Sequence, residues 1–204
     1  MYASPKEINT FLKHTLSSQK YLEFGCGGST FLVLYATLTK VISIESDASF
    51  IDQLSTNELI ANALKIPNAD HNIESLSPRL RFYHIDIGKT KAWGVPVDDS
   101  KRENYPLYSQ WIFQTLPPEE ILDIDTFFID GRFRVACVLS TLLHCHHNST
   151  IIIHDFFNRP QYHIVLEFLN IIDQTETLGI FKPQENLDKT KIISLLNEYQ
   201  FVTD

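Results

Sequence analysis

What the sequence lacks excludes several large protein classes. Within its 204 residues, no apolar run approaches the roughly 20 residues that a membrane-spanning helix needs. The three cysteines form no spaced framework of the kind that secreted, disulfide-rich proteins have. The N-terminal stretch has neither the basic nor the apolar region of a signal peptide. We therefore expect a protein of the reducing cytoplasm with no membrane partner.

Positive charge is also scarce, because 17 basic side chains stand against 25 acidic ones and give a formal net charge of −8. A large interface with the phosphates of a nucleic acid needs the opposite balance. We therefore expect a small-molecule substrate and no nucleic-acid partner. The length and the hydrophobic fraction of 44% are those of one globular domain over residues 1–204. The composition does not indicate an oligomeric state.

Glycine is infrequent, yet three of the seven glycines lie together at 25–28, directly after an apolar run at 20–24. A strand that turns sharply into a helix needs residues without a Cβ atom at the turn. The helix that follows begins with unpaired N–H groups, and Ser29 or Thr30 can cap it. Open α/β sheets bind ligands in polar cradles of this kind, at the end of a strand.

The second predicted strand ends in an acid, Glu45, twenty residues after the first glycine of the turn. An acid at this distance suits the hydroxyl pair of a ribose, so the pattern indicates a nucleoside-containing ligand. The dinucleotide fingerprint is incomplete because Thr30 replaces its third glycine. Glu23, an acid inside the first strand, argues against a pyrophosphate at the turn. Residues 23–29 resemble motif I of the class I S-adenosylmethionine-dependent methyltransferases, in which the turn holds the methionine part of the cofactor.

The other apolar patterns alternate between strands and helices. Strands are predicted at 20–24, 41–45, 80–86, 125–130, 150–155, 178–183 and 189–196. Helices are predicted at 4–16, 29–38, 47–64, 134–144 and 160–172, with a loop at 67–78, and the first helix starts with a capping box of Ser4 and Glu7. This alternation predicts an α/β fold with a doubly wound, Rossmann-like, mostly parallel seven-stranded sheet. The last two strands lack a helical connection, so they should form an antiparallel C-terminal hairpin, as in the class I methyltransferase fold.

The segment 88–124 interrupts this alternation with many aromatic residues and prolines. A connection of this length is often functional, so we predict a flap insertion that covers the ligand. Both tryptophans of the chain, Trp93 and Trp111, lie in this segment. The alternative is an irregular flap that packs over the edge of the sheet.

Five stretches resemble one group of class I methyltransferase-like proteins, and they run in order over most of the chain: 23–30, 43–47, 86–94, 129–137 and 154–162. The resemblance implies S-adenosylmethionine as the cofactor and a binding role for residues along one rim of the sheet. This set comprises Glu23, Gly25, Cys26, Gly27, Gly28, Ser29 and Thr30 around the methionine part, Glu45 at the ribose, Asp86 and Ile87 at the adenine, and Asp130 beside the methyl donor.

The candidates for catalysis are Asp130, His154 and Asp155, which end the fourth and fifth predicted strands. A neutral histidine can take a proton from a hydroxyl, so His154 is the predicted general base. Its alternative is a structural histidine bound into the rim of the sheet. Asp130 either positions or deprotonates a substrate hydroxyl, alone or through a metal ion, or it pairs with Arg132 or Arg134, and such a pair would lower its pKa.

A divalent metal is not expected at this site. Asp130 and Asp155 match two of the ligands of the catechol-methylating type, and His154 could join them. Phe156, however, stands where that type has an asparagine. The substrate side is assigned to three further residues: Trp93, Arg132 and Tyr162.

Together these interpretations predict an S-adenosylmethionine-dependent methyltransferase that acts on a small molecule. The methyl group would pass in line to an oxygen atom, with the rate coming from alignment and modest base assistance. Methylation of nitrogen stays open. The alternatives are an aminopropyltransferase on the same fold and a non-catalytic module that binds S-adenosylmethionine.

Overall fold

The computed structural model describes residues 2–65 and 77–203. Its main sheet has seven strands in the order β3-β2-β1-β6-β7-β9-β8. The strands are β1 (Lys20–Phe24), β2 (Lys40–Glu45), β3 (Leu80–His84), β6 (Thr126–Ile129), β7 (Thr150–Ile153), β8 (Leu169–Thr175) and β9 (Leu178–Pro183), and β4 (Thr90–Lys91) and β5 (Val95–Pro96) form a separate pair. The first five strands of the sheet are parallel, and β9 is antiparallel to β7 and β8. The predicted fold class is confirmed.

Helices cover both faces of this sheet. They are α1 (Pro5–Thr15), α2 (Gly28–Ala36), α3 (Ala48–Ser55), α4 (Glu58–Leu64), α5 (Tyr105–Thr115), α6 (Pro118–Leu122), α7 (Arg134–His144) and α8 (Lys189–Tyr199), with 3-10 helices at Ala92–Gly94, Arg102–Asn104 and Pro160–Phe168. Side chains of α1, α2 and α4 pack with Phe128 and Ile152 on one face. Side chains of α5, α7 and α8 pack with Phe127 and Ile153 on the other. Strands β6 and β7 are apolar on both faces because both faces are covered.

The parallel register places the functional ends of the strands at one edge. Phe24 of β1 lies opposite Ile44 of β2 and Ile129 of β6, and Ile129 lies opposite Ile153 of β7. The residues that follow these four strands are therefore neighbours in space, although they are far apart in the sequence. Ligands of open α/β sheets bind at this carboxyl edge.

Two predicted elements at the C-terminal end are wrong. The strand predicted at 189–196 is helix α8, because the side chain of Asp188 caps it by accepting from the Lys191 backbone, and Ile192 and Leu196 form its buried stripe. The helix predicted at 160–172 is a 3-10 helix that ends at Phe168, after which the chain enters β8. The C-terminal hairpin consequently consists of β8 and β9.

Smaller differences concern the first half of the chain. The helix predicted at 47–64 is divided into α3 and α4, because the side chain of Asn57 caps a new helix start. The loop predicted at 67–78 lies mostly outside the described residues. Within 2–65 and 77–203, no helix combines the length and the apolar character needed to cross a bilayer.

The segment 88–124 has two parts with different environments. Its second part holds α5 and α6, and α5 buries Tyr105, Tyr108 and Ile112 in the core between the sheet and α7. Its first part holds the β4–β5 pair, with Trp93 at the tip and 78% of that residue exposed. Only the first part is therefore placed to cover a ligand, and its role as a lid stays a prediction.

Candidate active site

The glycine turn after β1 touches the turn after β6 through the backbone. Gly25 has φ of 91° and Gly27 has φ of 144°, which are conformations that other residues rarely adopt. A Cβ atom on Gly25 would lie 2.7 Å from Cα and 2.8 Å from N of Gly131. Gly131 completes the turn by placing its own backbone against that of Gly25.

Glu23 is fully buried below the glycine turn, and hydroxyl groups surround its carboxylate. It accepts hydrogen bonds from Ser29 (2.7 Å), Ser43 (2.8 Å), Tyr21 (3.0 Å) and Thr30. Burial raises the pKa of the Glu23 carboxyl, and the hydroxyl donors oppose this rise. Glu23 therefore shapes the turn through Ser29 and Thr30, and its carboxylate lies out of direct reach of a ligand in the cleft.

Glu45 connects the turn after β1 with the turn after β2. Its Oε2 accepts from the backbone N–H of Cys26 (3.1 Å) and from the Cys26 thiol (3.3 Å). Its Oε1 accepts from the backbone N–H groups of Ser46 (2.6 Å) and Asp47 (3.0 Å). The carboxylate is thus fixed at the mouth of the glycine turn, where the predicted ribose contact would be made.

Asp86 follows β3 and is exposed. Its Oδ1 accepts from the Gly88 backbone (3.0 Å), and its Oδ2 pairs with Lys101. The bond from Lys101 lowers the pKa of the Asp86 carboxyl, and the Gly88 bond adds to this effect. The neighbouring Ile87 is fully buried, so a ligand could meet its backbone only after a local opening.

His154 and Asp130 form a direct pair at the ends of β7 and β6. The His154 Nδ1 lies 2.9 Å from Asp130 Oδ1, which also accepts from Arg134 Nη2 at 3.0 Å. Burial raises the pKa of the Asp130 carboxyl, but the bonds from His154 and Arg134 outweigh burial and lower it. An ionised carboxylate only accepts hydrogen bonds, so Nδ1 of His154 is the donor and Nε2 is the ring nitrogen left for a substrate.

Arg134 joins the ends of these two strands from the first turn of α7. The buried guanidinium donates from Nη1 to the backbone oxygen of His154 (2.6 Å) and from Nε to that of Gly131 (3.1 Å). Its Nη1 also lies 3.7 Å from Asp155 Oδ2. Of the alternatives for Asp130, the arginine pair therefore involves Arg134, and it coexists with the His154 contact.

The residues assigned to the substrate occupy different positions around this rim. Trp93 is exposed at the tip of the β4–β5 pair, and a Cβ atom on the adjacent Gly94 would lie 3.4 Å from Ser46 Oγ and 3.7 Å from Arg132 Cγ. The tip and the buried Arg132 therefore lie next to the ends of β2 and β6.

Tyr162, the third residue assigned to the substrate, is buried. Its ring lies 5.7 Å from the Arg134 guanidinium carbon, and its hydroxyl accepts from Arg159 Nη1 at 3.2 Å. It supports the arginines in this structure and presents no open face to the cleft.

No family model and no curated protein matches the chain. Among solved structures, it is similar to a methyltransferase-like protein (spo2022) from Silicibacter pomeroyi DSS-3. The two are 27% identical, the match covers 98% of this chain and 96% of the other, and the TM-score is 0.78. The chain therefore has the fold of the class I methyltransferases.

Two more distant structures share this fold. Cofactor-bound Rv0187 from MTB is 12% identical with a TM-score of 0.58, and the match covers 91% of this chain and 83% of that one. The Podospora anserina methyltransferase PaMTH1, bound to S-adenosylhomocysteine, is 13% identical with a TM-score of 0.51, covering 88% and 77% of the two chains.

Two acids and a histidine after β6 and β7 form a candidate metal site. Asp130, His154 and Asp155 each offer one ligand atom, and these atoms lie within 4.8 Å of one another. Arg134 contacts both carboxylates, and Arg159 Nη2 donates to Asp155 at 3.1 Å. A divalent ion would have to lie against a buried guanidinium, so these residues do not suit one.

Two residues lie at the site although nothing in the sequence indicates a role there. Glu7 was predicted only as part of the capping box of α1, yet its carboxylate lies 4.0 Å from Nε2 of His154. Thr177, in the β8–β9 turn, binds both Glu7 and the backbone after β7. Their roles depend on tertiary contacts between distant parts of the chain.

Proposed function

We propose that the protein is an S-adenosylmethionine-dependent methyltransferase that transfers a methyl group to an oxygen atom of a small molecule. The observation that carries the proposal is the 2.9 Å contact between His154 and Asp130, at the ends of β7 and β6. Strand β6 is also the neighbour of β1, so this pair lies beside the glycine turn. The cofactor-bound structures of similar fold support the choice of cofactor.

The glycine turn has the properties of a cradle for the cofactor. Three of its four residues are glycines, and Gly25 and Gly27 take conformations that other residues rarely adopt, so Gly25 to Gly28 would hold the methionine part. Glu45 would accept the ribose hydroxyls, in exchange for some of its present donors in the turns after β1 and β2. Asp86 would meet the adenine, and the buried backbone of Ile87 would do so after a local opening. Bound there, S-adenosylmethionine supplies an electrophilic methyl group on its sulfonium.

His154 then acts as the base. Its Nε2 would accept the proton of the substrate hydroxyl while the oxygen takes the methyl group, the bond from carbon to the sulfonium breaks and S-adenosylhomocysteine leaves. Asp130 keeps Nδ1 protonated and stabilises the positive charge that the ring acquires. Arg134 holds Asp130 ionised and in place. Alignment of donor and acceptor contributes most of the rate, and the base adds about 10²- to 10⁴-fold.

A non-catalytic module that binds the cofactor is the second candidate. It is favoured by the low exposure of His154, whose side chain is only 6% accessible. An aminopropyltransferase needs acids that are free to bind a polyamine, whereas Asp130 and Asp155 are both paired with arginines. Turnover separates the first two candidates, because both would bind S-adenosylhomocysteine.

The test uses methyl-labelled S-adenosylmethionine with fractionated metabolite pools, and label in a small molecule is the expected result. His154→Gln should lower the rate of transfer by about 10²- to 10⁴-fold while calorimetry finds unchanged binding of S-adenosylhomocysteine. His163→Gln is the matched control, because His163 contacts the backbone of Phe156 nearby without touching Asp130. Full turnover in His154→Gln would make this histidine structural.

A further inference from the structure

Glu7 is a buried acid at the start of the N-terminal helix, with more contacts than its capping role requires. Its Oε2 accepts from the Ser4 backbone at 3.0 Å, which completes the capping box. Its Oε1 accepts from the backbone and the hydroxyl of Thr177, at 3.0 and 2.6 Å. Burial raises the pKa of the Glu7 carboxyl, but the bonds from Thr177 and Ser4 outweigh it, so the group is ionised at neutral pH.

Thr177 extends this arrangement toward the catalytic strand. Its backbone oxygen accepts from the N–H of Phe156 at 2.8 Å, one residue after Asp155. The same turn therefore binds Glu7 and the segment that carries His154. These bonds hold the Glu7 carboxylate beside the backbone that follows β7.

The fixed carboxylate faces the ring of His154. Oε2 of Glu7 lies 4.0 Å from Nε2, while Nδ1 on the opposite side donates to Asp130. Around the same ring, Asp155 Oδ1 lies 3.9 Å from Nδ1, and Arg134 binds the backbone oxygen of His154. A distance of 4.0 Å is longer than a hydrogen bond, so Glu7 does not occupy Nε2, and it attracts the ring once Nε2 is protonated.

We propose that Glu7 is a positioning residue that acts through His154, a role that rests on the proposed methyltransferase function. A fixed negative charge 4.0 Å from Nε2 stabilises the protonated ring that forms when Nε2 takes the proton of a substrate hydroxyl. The N-terminal helix thereby supports the base from the side of the ring opposite Asp130.

The experiment compares Glu7→Gln with Thr10→Val. Glutamine retains the capping box and the size of the side chain but removes the charge. Thr10 makes a 2.7 Å contact with Thr175 and so ties the same helix to β8, without contacting His154. The readouts are the imidazole ¹⁵N signals, with those of His154 assigned by their loss in His154→Gln, and the steady-state kinetics of methyl transfer.

Glu7→Gln should shift the His154 ring signals and lower kcat by about 10- to 100-fold, with KM for S-adenosylmethionine changed less than about threefold. Thr10→Val should leave both the signals and kcat unchanged. If Glu7→Gln does not fold, Thr177→Val loosens the same carboxylate and should move the same signals.

Unchanged His154 signals in a folded Glu7→Gln, or an equal change in Thr10→Val, overturn the proposal. Shifted signals in a protein that never transfers label would uphold the effect of the Glu7 charge on the ring and refute the methyltransferase function. The two inferences therefore fail separately.

Discussion

The contact between Gly25 and Gly131 can be tested with a matched pair of glycines. Gly25 and Gly88 have nearly the same φ, 91° and 92°, so an alanine at either position has the same backbone penalty. Their surroundings differ. A Cβ atom on Gly25 would lie 2.7 Å from the Gly131 backbone, whereas on Gly88 the nearest atom, Ser100 Oγ, would lie at 3.5 Å.

The expected loss of stability follows from these distances. The left-handed backbone costs an alanine about 1–2 kcal/mol at both positions. The overlap of Gly25→Ala with a neighbouring backbone adds about 1–3 kcal/mol, because neither turn can relax as a flexible side chain would. Gly88→Ala should therefore lower the free energy of unfolding by about 1–2 kcal/mol and Gly25→Ala by about 2–5 kcal/mol.

The assay is urea denaturation of both variants, followed by calorimetric titration with S-adenosylhomocysteine. Gly25→Ala should also weaken binding at least about tenfold, because the turn must shift away from Gly131. Gly131→Ala offers a second approach to the same contact, since its Cβ atom would meet Tyr108 Oη at 2.1 Å and Gly25 N at 3.0 Å. Equal losses of stability in Gly25→Ala and Gly88→Ala would refute the reasoning.

Three other predictions concern the charges and the tip of the β4–β5 pair. Glu45→Gln should weaken binding of S-adenosylhomocysteine by about 1–3 kcal/mol in calorimetry. The control Glu58→Gln, at an exposed position, should bind as the unchanged protein does. If both variants bind with the same affinity, Glu45 does not contact the ribose. Asp130→Asn should destabilise the fold by about 3–5 kcal/mol at pH 7, because Arg134 loses its charged partner. The pKa of Asp130 is lowered in the folded protein, so the stability that its charge contributes is lost as the pH falls. The difference in unfolding free energy between the two proteins, measured in urea, should therefore shrink below about pH 4. A difference that stays constant with pH would contradict the ion pair of Asp130 and Arg134. In Trp111→Phe, the fluorescence comes from Trp93 alone. S-adenosylhomocysteine should protect this exposed residue from iodide quenching, and an unchanged quenching constant would show that the tip does not respond to the ligand.

The sequence predicts the central strands well because their signals are local. Strand β6 has an unbroken apolar run, and α7 follows it with a helical pattern that matches its observed bounds, Arg134–His144. The parallel order also follows from the alternation of strands and helices. These elements lie in the middle of the sheet, where burial on both faces enforces the pattern.

The C-terminal elements were mispredicted because their local signals conflict. The pair Ile192–Ile193 has the β-branched character of a strand, yet Asp188 caps a helix and only Ile192 of the two is buried. Strand β8 is an edge strand with Ile171 exposed, so it has no clean alternation between buried and exposed positions. Tertiary contacts decide both cases.

The sequence predicted which positions along one rim of the sheet form the candidate site. It did not predict which side chains of the site contact one another. The sequence places Asp130 and His154 at the ends of neighbouring strands, but it cannot choose between Arg132 and Arg134 as the ion-pair partner. It also cannot bring Glu7 to His154, because the contact depends on how α1 docks against the β8–β9 turn. Side-chain pairs of this kind have no periodicity to detect.

Three acids in or directly after the central strands, Glu23, Asp130 and Glu45, differ in their hydrogen-bond donors, and the donors decide what each acid can do. Glu23 accepts from neutral hydroxyl groups in the core and stays there as a support of the glycine turn. Asp130 accepts from His154 and Arg134 and is held ionised beside the base. Glu45 accepts from backbone N–H groups of two turns at the mouth of the cleft, including that of Cys26, and ribose hydroxyls could replace some of these donors. Of the three, Glu45 is therefore the acid whose present hydrogen bonds a nucleoside can exchange for its own.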